Sequence, residues 1–497
     1  MSTPQIDVLI IGGGFSGTML AVQLLRRTTN LSLTVLETSS MPGRGLAYRT
    51  PHRFHLLNIP AGEMGAFPSD AKDFLMWARS HYHPSVQARS FLPRAAYGEY
   101  LASVLNLTIA EHGGDRFQWI QDEALSVQRR KGKVSVQRKD GPELQARAVV
   151  LATGNFPPGT PDIPGLNYSG AARTTPGRLS SGPVRSSIYV QFAWSPNALE
   201  NLPQDGSVLL LGSGLTSVDL IMALKSKGFR GVIHILSRHG MIPSRHQPGK
   251  PWPLFWDRDS PENSPRTTRG LLHRIRQEVD AAAQQGVDWR GVVDSLRPVT
   301  QQIWQSLPVD EQRRFLRHAR PYWDVHRHRL APEISDIFSD MEAEGQIRFH
   351  TGRITGYTEN YGGGGLPSTA PGRADITYRE RGAATLKHLH AHRVINCTGS
   401  ETDSRRIDDS LITSLFVQGL ARPDPLFLGL DVDSDGALID YKGKPSRSLF
   451  TLGPTRKGEL WETTAVPEIR LQAEQLATHL VKAFERRNED LLLKQAV

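Results

Sequence analysis

Three glycines near the start of the chain are spaced to hold a phosphate-containing ligand. They belong to the GxGxxG turn Gly12-Gly13-Gly14-Phe15-Ser16-Gly17. In such a turn the first glycine permits a tight bend, the second lets the backbone approach a pyrophosphate, and the third lets the next helix pack closely. That helix would present its N-terminus, with Phe15 and Ser16, to the phosphates. Glu37, at the end of the following strand, would accept hydrogen bonds from ribose hydroxyls.

A second glycine turn has a different ribose partner. It reads Gly212-x-Gly214-x-x-Ser217, and the position that is acidic in the first unit is replaced by Ser237 and Arg238. A carboxylate there would repel a 2′-phosphate, whereas Arg and Ser bind it through charge-assisted hydrogen bonds. The second ligand is therefore expected to be NADPH, with NADH as the alternative if Arg238 is only a solvated arginine at a strand end.

Strands and helices are predicted where these turns need them. Residues 7–11 and 208–211 read as strands before the turns, and residues 14–27 and 218–227 as helices after them. Further along, the apolar runs VVLATG (149–154) and RVINCTG (393–399) each end in Thr-Gly. Thr153, Gly154 and Gly399 are thus candidate cofactor contacts at strand ends. One acidic and one basic ribose partner together indicate FAD plus NADPH.

The predicted fold is α/β, with two interleaved Rossmann-like dinucleotide-binding domains and a helical insertion. The predicted boundaries are 1–165 for the first part of the FAD-binding domain, 200–392 for the NADPH-binding domain and 393–497 for the second part of the FAD-binding domain. The insertion is placed at 240–345, where apolar residues recur at helical spacing. Gly362–Gly365 predicts a surface loop.

Composition excludes several classes of protein. The chain has 497 residues, a net charge of +9 and one cysteine, Cys397. A single cysteine excludes an internal disulfide, thiolate zinc sites and dithiol-shuttling reductases, and we expect it to be a buried small hydrophobe. The start of the sequence lacks a basic n-region, and no apolar run would cross a bilayer, so we expect a cytoplasmic protein without a membrane partner.

The chain resembles the two-dinucleotide-domain flavoproteins that include flavin-containing and N-hydroxylating monooxygenases. HLLNIPAGEMGAF at 55–67 is similar to the segment whose asparagine, here Asn58, lies beside the flavin ring. The resemblance implies a catalytic role for Asn58, with a loop cap as the alternative. Gly43-Arg44-Gly45 takes the place of a Gly-Gly pair near the flavin. The fingerprint of Baeyer–Villiger enzymes is not recognisable around GAARTTPGRL, which disfavours ketone oxidation.

A narrower bacterial FAD/NAD(P)-binding family is similar in five separated motifs. They are GFSGTMLAVQLL, GRGLAYRT, GSGLTSVD, SRHG and LGPTRKGELWETTAVPEIRLQA. That family includes a FAD-dependent urate hydroxylase and aspartate N-hydroxylating, nitrosuccinate-forming monooxygenases. The resemblance implies that Gly453 lies near the flavin and that the helix after Trp461–Thr464 points its N-terminus at the pyrimidine end. Such a helix end stabilises negative charge on reduced flavin.

The activity implied by the resemblance is that of a single-component FAD-dependent, NAD(P)H-consuming monooxygenase. It would use O2, through a C4a-peroxyflavin, to hydroxylate a small anionic nitrogen-containing substrate. Urate, converted to 5-hydroxyisourate, is the first expectation and L-aspartate N-hydroxylation the second. A flavin NADPH oxidase or reductase without oxygen transfer stays open, as does an RNA-binding protein that uses the basic helices, although nucleic acid is not the expected partner. The oligomeric state is not predicted.

Residues 313–329 contain six arginines and three histidines. They could form an electropositive wall that attracts an anionic substrate, or a solvated helix face. Arg320 and His326, with Trp461, are the residues expected to bind substrate. His388, His390 and His392 alternate, and we expect them to face solvent rather than to bind a metal, with Leu389 and Ala391 facing the core.

Overall fold

The chain was analysed as a computed structural model. It describes residues 6–130, 132–166, 186, 188–256, 265–361 and 372–495. The stretch GAARTTPGRL and the loop predicted at Gly362–Gly365 lie outside the described residues.

The strands fall into two sheets. In chain order they are β1 Ile6–Ile11, β2 Leu33–Glu37, β3 Phe117–Gln121, β4 Ala124–Arg130, β5 Lys133–Arg138, β6 Leu144–Leu151, β7 Tyr189–Val190, β8 Ser207–Leu211, β9 Val232–Ser237, β10 Ile347–Asn360, β11 Arg373–Glu380, β12 Leu386–Ala391, β13 Arg393–Asn396, β14 Ala437–Ile439 and β15 Pro445–Thr451.

The helices lie on the faces of the sheets and between the two halves of the chain. In chain order they are α1 Phe15–Arg27, α2 Gly45–Tyr48, α3 Asp73–His81, α4 Arg94–His112, α5 Leu215–Ser226, α6 Thr268–Gln284, α7 Trp289–Ser295, α8 Thr300–Ser306, α9 Val309–His318, α10 Arg320–Arg327, α11 Pro332–Ala343, α12 Ser410–Val417, α13 Lys457–Leu460 and α14 Val466–Gln495.

The first sheet combines both ends of the chain. Its main path runs β14-β15-β6-β1-β2-β3, with the β4–β5 hairpin attached through β5 to β6. Strands β15, β6, β1, β2 and β3 are mutually parallel, and β14 is antiparallel to β15. The apolar faces of α1, α4 and α14 cover one side of this sheet and form the largest core cluster. Residues that are distant in sequence therefore meet at one sheet edge.

The second sheet has the order β12-β11-β10-β9-β8-β13-β7. Strands β10, β9, β8, β13 and β7 are parallel, and α5 and α11 pack against one face. The predicted α/β fold is confirmed. The domain boundaries at 165, 200 and 392 remain predictions, and β13 shows that the return to the first sheet comes after residue 396.

The predicted helical insertion contains α6 to α11, which lie between β9 and β10. The helix with Leu271 and Ile275 on one face ends before Gly286, whose positive φ of 67° suits a helix terminus. Leu389 and Ala391 are buried and His388 and His390 exposed, as their alternation predicts, but His392 is half-buried because its Nδ1 accepts the Ser207 N–H at 3.0 Å. Across the part of the chain that the structure describes, the helices lack the length and apolar character needed to cross a membrane.

Candidate active site

The glycines of the first turn are required by the backbone around them. Gly12 has a φ of 105°, and a Cβ on it would lie 2.3 Å from the carbonyl oxygen of Ala152. A Cβ on Gly17 would lie 1.8 Å from the carbonyl oxygen of Gly12. A Cβ on Gly14 would point at Gly45, 3.4 Å from its Cα. The first and third glycines thus allow strand, turn and helix to pack, and the second leaves the space beside Gly45 free of a side chain.

Glu37 orders the same turn. Its Oε2 accepts a bond from the Gly13 N–H at 2.5 Å, and its Oε1 accepts one from the Ser39 N–H at 2.9 Å. Oε1 also accepts from the Thr38 hydroxyl at 3.1 Å, whereas Oε2 keeps a second lone pair, which a ribose hydroxyl can use. Helix α1 begins at Phe15 with Gly14 as its N-cap and without a side-chain cap. Its first N–H groups are therefore not occupied by a capping side chain.

The C-terminal segment lies against this turn. A Cβ on Gly453 would lie 2.7 Å from the Ser16 hydroxyl oxygen, so the two backbones are close. Gln472 fixes Gly453 by accepting its N–H at 2.9 Å, and the Thr463 hydroxyl donates to the Gly453 carbonyl at 2.8 Å. Gly453, predicted near the flavin from the resemblance, is thus next to the first glycine turn. The edge is built from both ends of the chain.

Polar groups at this edge lack protein partners. The Thr153 hydroxyl is buried without a hydrogen bond within the described residues. Gly154 has a φ of 70°, and a Cβ on it would meet nothing within 4 Å. Arg44 immediately precedes α2, with its Cγ against Gly98 of α4. An orphaned hydroxyl, an uncapped helix and an open glycine fit FAD at the carboxyl ends of β1, β2 and β6.

The second turn repeats the first with one substitution. Gly212 has a φ of 111°, and a Cβ on it would lie 2.6 Å from the carbonyl oxygen of Cys397. Where the first turn has Gly17, Ser217 donates its hydroxyl to the Gly212 carbonyl at 2.7 Å. A Cβ on Gly214 would meet nothing within 4 Å, so this turn is open. Serine can take the place of glycine here because its hydroxyl bonds the Gly212 carbonyl and so connects α5 to the turn.

A cavity of about 1020 Å³ joins the second turn to the C-terminal segment. At one end it is lined by the turn residues 212–216 and by Ser237–His239, and Gly154 and Gly399 border it. At the other end it is lined by Pro454, Thr455, Lys457 and Thr464. The residues predicted for NADPH and those predicted for the far side of the flavin therefore share one space.

Several arginine side chains lie where a 2′-phosphate is expected. Arg238 is exposed to the cavity, and Arg353 of β10 lines it nearby. Arg381 donates to His239 Nδ1 at 3.1 Å. Desolvation, Arg381 and Arg238 together lower the pKa of His239, so its ring is neutral and accepts that bond. Ser237 accepts the Gly240 N–H through its Oγ at 3.0 Å, which leaves its hydroxyl proton to donate.

Trp461 has strained backbone geometry. Its φ is 60° and its ψ −66°, and the Glu462 N–H donates to the Leu460 carbonyl at 2.7 Å. This is the rare γ-turn with a positive φ, a conformation that costs a bulky residue about 1–3 kcal/mol. The indole stacks on Trp304 at 5.1 Å and meets the edge of Phe315 at 5.2 Å. These ring contacts hold the strained turn in place.

Lys457 faces the cofactor cavity beside this turn. Its Nζ lies 5.0 Å from the centre of the Trp461 ring, a cation–π contact. Burial, and secondly the charge of Arg320, lower the pKa of Lys457 to about 8. Within the described residues the ammonium forms no ion pair. Sequence reasoning missed Lys457, because one lysine in RKGELW carries no signal of its burial.

Glu462, which follows Trp461, belongs to a buried ionic network. Burial would raise the pKa of Glu462, but His328, Arg327 and the bond from Trp323 Nε1 outweigh it and hold the pKa below its ordinary value. Glu468, in the first turn of α14, lies 3.5 Å from both Arg297 and Arg327. Arg297 Nη2, Arg327 Nε and Glu468 Oε2 are buried without a partner among the described residues. This network joins the insertion to the helix predicted to face the flavin.

Asn58 lies on a segment fixed from several sides. It is half-buried, its amide makes no hydrogen bond within the described residues, and it does not line the cofactor cavity. His55 anchors the segment: its Nε2 bonds the Asp219 carbonyl at 2.9 Å, and its Nδ1 contacts the Thr50 hydroxyl at 2.7 Å. The catalytic role of Asn58 stays a prediction, with a free amide in its support.

The expectation of an electropositive wall at 313–329 is largely wrong. Of its six arginines, all of them described, five pair with carboxylates: Arg313 with Asp310, Arg314 with Glu311, Arg320 with Asp324, Arg327 with Glu468 and Arg329 with Asp294. Such local pairing, at helical spacing in three cases, cancels most of the charge. It also removes the main support for an RNA-binding surface.

The predicted substrate residues do not share one space. Arg320 lines the cofactor cavity, and its Cζ lies 5.9 Å from the centre of the Trp461 ring. His326 and Trp461 line a different cavity inside the insertion, where His326 meets the Trp289 ring at 4.7 Å. Residues six positions apart on α10 point to different sides of the helix, since six residues span more than one and a half turns. Their roles remain predictions.

Residues 9–156 match the sequence family of FAD-NAD(P)-binding domains. The chain has the fold of the two-domain flavoproteins. Ornithine hydroxylase from Pseudomonas aeruginosa superimposes with a TM-score of 0.61 at 14% identity, covering 96% of this chain and 99% of that one. L-lysine 6-monooxygenase from Pseudomonas syringae superimposes with a TM-score of 0.59 at 15% identity, covering 96% of this chain and 99% of that one. These TM-scores, over nearly the whole chain, show a shared fold.

A reductase has the same architecture. Bacillithiol disulfide reductase from Staphylococcus aureus gives a TM-score of 0.54 at 12% identity and covers 97% of this chain and 99% of that one. No curated protein sequence matches the chain. Substrate identity therefore has to be argued from the site itself.

Proposed function

We propose that this protein is a FAD-dependent, NADPH-consuming monooxygenase. The observation that carries the proposal is the continuous cavity of about 1020 Å³ between the second glycine turn and the Pro454–Thr464 segment. A nicotinamide dinucleotide held at the turn would extend along this cavity towards the segment expected at the flavin. That arrangement suits direct hydride transfer between two cofactors.

Residues in the cavity, together with Gly453 and Asn58 outside it, would divide the binding of the two cofactors. Gly214 and the uncapped start of α5 would bind the pyrophosphate through backbone N–H groups. Arg238, with Ser237, would bind the 2′-phosphate. Gly453 and Thr464 would lie along the flavin, and Asn58 would offer its free amide to the reacting oxygen or to NADP+. Bound FAD, once reduced by NADPH, supplies the activation of O2.

The proposed substrate is a small anionic nitrogen-containing molecule. Urate hydroxylation to 5-hydroxyisourate and L-aspartate N-hydroxylation are the two candidates. Two proteins with the same fold carry the names of amino-acid substrates, ornithine and lysine, which supports testing L-aspartate beside urate. Lys457 and Arg317 line the cavity without an ion pair inside the described residues and suit an anion.

The test is NADPH oxidation in air by the flavin-loaded protein, with hydrogen peroxide assayed in parallel, and with urate or L-aspartate added. Substrate-stimulated NADPH use with little peroxide, together with the hydroxylated product, is the expected result. Stimulated use with stoichiometric peroxide for every substrate would contradict oxygen transfer. It would favour the second candidate, a flavin NADPH oxidase or reductase, an activity class that the reductase with the same fold supports.

A further inference from the structure

A second cavity lies inside the helical insertion. Its volume is about 1010 Å³, within the range of small-molecule sites. It is enclosed by α6 to α10 and closed on one side by Trp461. Its aromatic lining residues are Phe255, Trp256, Trp289, Trp304, Phe315, Tyr322, Trp323 and Trp461. These five helices leave a large aromatic surface around the cavity without protein atoms against it.

The lining contains basic side chains. Within the described part of the chain, none of the residues that line this cavity is Asp or Glu, whereas Arg274, Arg276, His318 and His326 line it. Arg274 is neutralised by Glu278 at 2.7 Å, but Arg276 makes no ion pair among the described residues. His326 donates its Nδ1–H to the Tyr322 carbonyl at 2.7 Å, which leaves Nε2 as an acceptor in the neutral ring, so Arg276 is the cation that faces a ligand. An acidic group is therefore the complement of this cavity.

Trp461 marks the end of the cavity with an unsatisfied donor. The indole N–H groups of its neighbours are bonded: Trp304 donates to the Gly458 carbonyl and Trp323 to Glu462, each at 2.8 Å. Trp461 is 6% exposed, and its Nε1 has no acceptor within the described residues. A buried donor without a partner is costly, and an acceptor on a ligand would remove that cost.

We propose that this cavity binds an aromatic carboxylate, with its ring against the tryptophans and its carboxylate towards Arg276. Flat rings stack favourably on indole, and the absence of carboxylates from the described lining removes repulsion. The ligand would touch Trp461, whose ring Lys457 contacts from the cofactor cavity. The proposal does not depend on oxygen transfer and can hold if the proposed function fails.

The probe is 1-naphthoate, titrated by calorimetry into the flavin-loaded protein with saturating NADP+. We expect one site per chain. The neutral analogue 1-naphthalenemethanol should bind about tenfold more weakly, because it lacks the charge that Arg276 complements. A repeat without NADP+ is the comparison: 1-naphthoate binding that occurs without NADP+ but not with saturating NADP+ would place the probe in the cofactor cavity and overturn the proposal, as would the absence of binding in both titrations.

Two variants locate the site. Leu272→Trp fills the cavity and should weaken 1-naphthoate binding at least about tenfold. Arg276→Gln changes an exposed side chain, so folding is not at risk, and should weaken 1-naphthoate severalfold while leaving 1-naphthalenemethanol unchanged. The matched control is Arg269→Gln, one arginine on the same helix that does not line the cavity. Equal binding by Arg276→Gln and Arg269→Gln would contradict the assigned orientation.

Discussion

The guanidinium of Arg94 lies 2.9 Å from the carboxylate of Asp219. Arg94 begins α4 beside the first sheet, and Asp219 lies in α5 on the second sheet. The backbone carbonyl of Asp219 also accepts the His55 bond. One residue of the second nucleotide-binding unit therefore holds two residues of the first. This connection fixes the segment that carries Asn58 relative to the cofactor cavity.

The hydrogen bond from His55 to the Asp219 carbonyl makes the free energy of unfolding depend on pH. The Nε2 of His55 must donate to a carbonyl, so its Nδ1 is the acceptor and the ring is neutral. Desolvation, and then Arg94, lower the pKa of His55 to about 4 from an ordinary 6.5. Between these pH values the unfolded chain binds more protons than the folded one. The stability that neutral His55 contributes is therefore fully present above about pH 6.5 and is lost as the pH falls to about 4. The loss is about 3 kcal/mol.

Urea unfolding of wild type and His55→Gln at pH 7 and pH 4.5 measures this contribution. The wild type should lose more stability than the variant between the two pH values, since glutamine can still donate to the Asp219 carbonyl but does not titrate. Equal losses in both proteins would show that other groups, such as His234 with its pKa of about 4, account for the acid sensitivity.

Substitutions in the two glycine turns should affect FAD and NADPH binding separately. In Gly14→Ala the new Cβ lies at the mouth of the first turn, 3.4 Å from Gly45. This variant should be purified colourless, without the flavin absorbance near 450 nm. The matched variant Gly214→Ala meets no protein atom within 4 Å, so it should stay yellow and raise KM for NADPH. Full flavin retention by Gly14→Ala would contradict the assigned pyrophosphate site.

Arg238 should distinguish NADPH from NADH. Arg238→Ala removes the charge expected at the 2′-phosphate and should raise KM for NADPH about tenfold or more while sparing NADH. Arg230→Ala is the control, because Arg230 pairs with Asp205 at 2.9 Å on the surface outside the cavity. An equal rise in KM for both nucleotides would show that Arg238 does not contact the 2′-phosphate.

Lys457 should destabilise the fold at neutral pH. Its pKa is about 8 in the folded protein against an ordinary 10.5, so the unfolded chain binds more protons between these values. Wild type therefore gains stability as the pH rises from about 8 to about 10.5. Lys457→Met should raise the unfolding midpoint at pH 7, and its advantage should shrink by pH 10. Lys482→Met, at an exposed position of α14, is the control and should show neither effect.

The sequence predicted the features that depend on local backbone. Gly12 and Gly212 take a positive φ at the turn of a strand–turn–helix unit, and Gly17 packs against the Gly12 carbonyl of its own unit, so the spacing of these glycines can be read directly from the sequence. Helix α1 was expected at 14–27 and spans Phe15–Arg27. Cys397 is 5% exposed, as a small hydrophobe in a core strand should be. Burial raises the pKa of its thiol to about 12.

Features that depend on distant packing were not predictable. The arginines of α9 and α10 look like a basic wall in the sequence, but their partners include Glu468, more than a hundred residues away. The γ-turn at Trp461 exists because Trp304 and Phe315 of the insertion hold it. Arg353 reaches the cavity only because β10 pairs beside β9. Such contacts follow from the order of strands and helices in space, which no local pattern encodes.

The position of β15 bears on how the protein is made. This strand pairs with β6 across about three hundred residues, through contacts such as Leu449 with Val149, and it leads directly to Gly453. A chain emerging from the ribosome can complete the second sheet first, while the first sheet still lacks β14, β15 and its covering helix α14. The flavin edge is thus finished last, and truncation of the final fifty residues should yield a chain that never turns yellow.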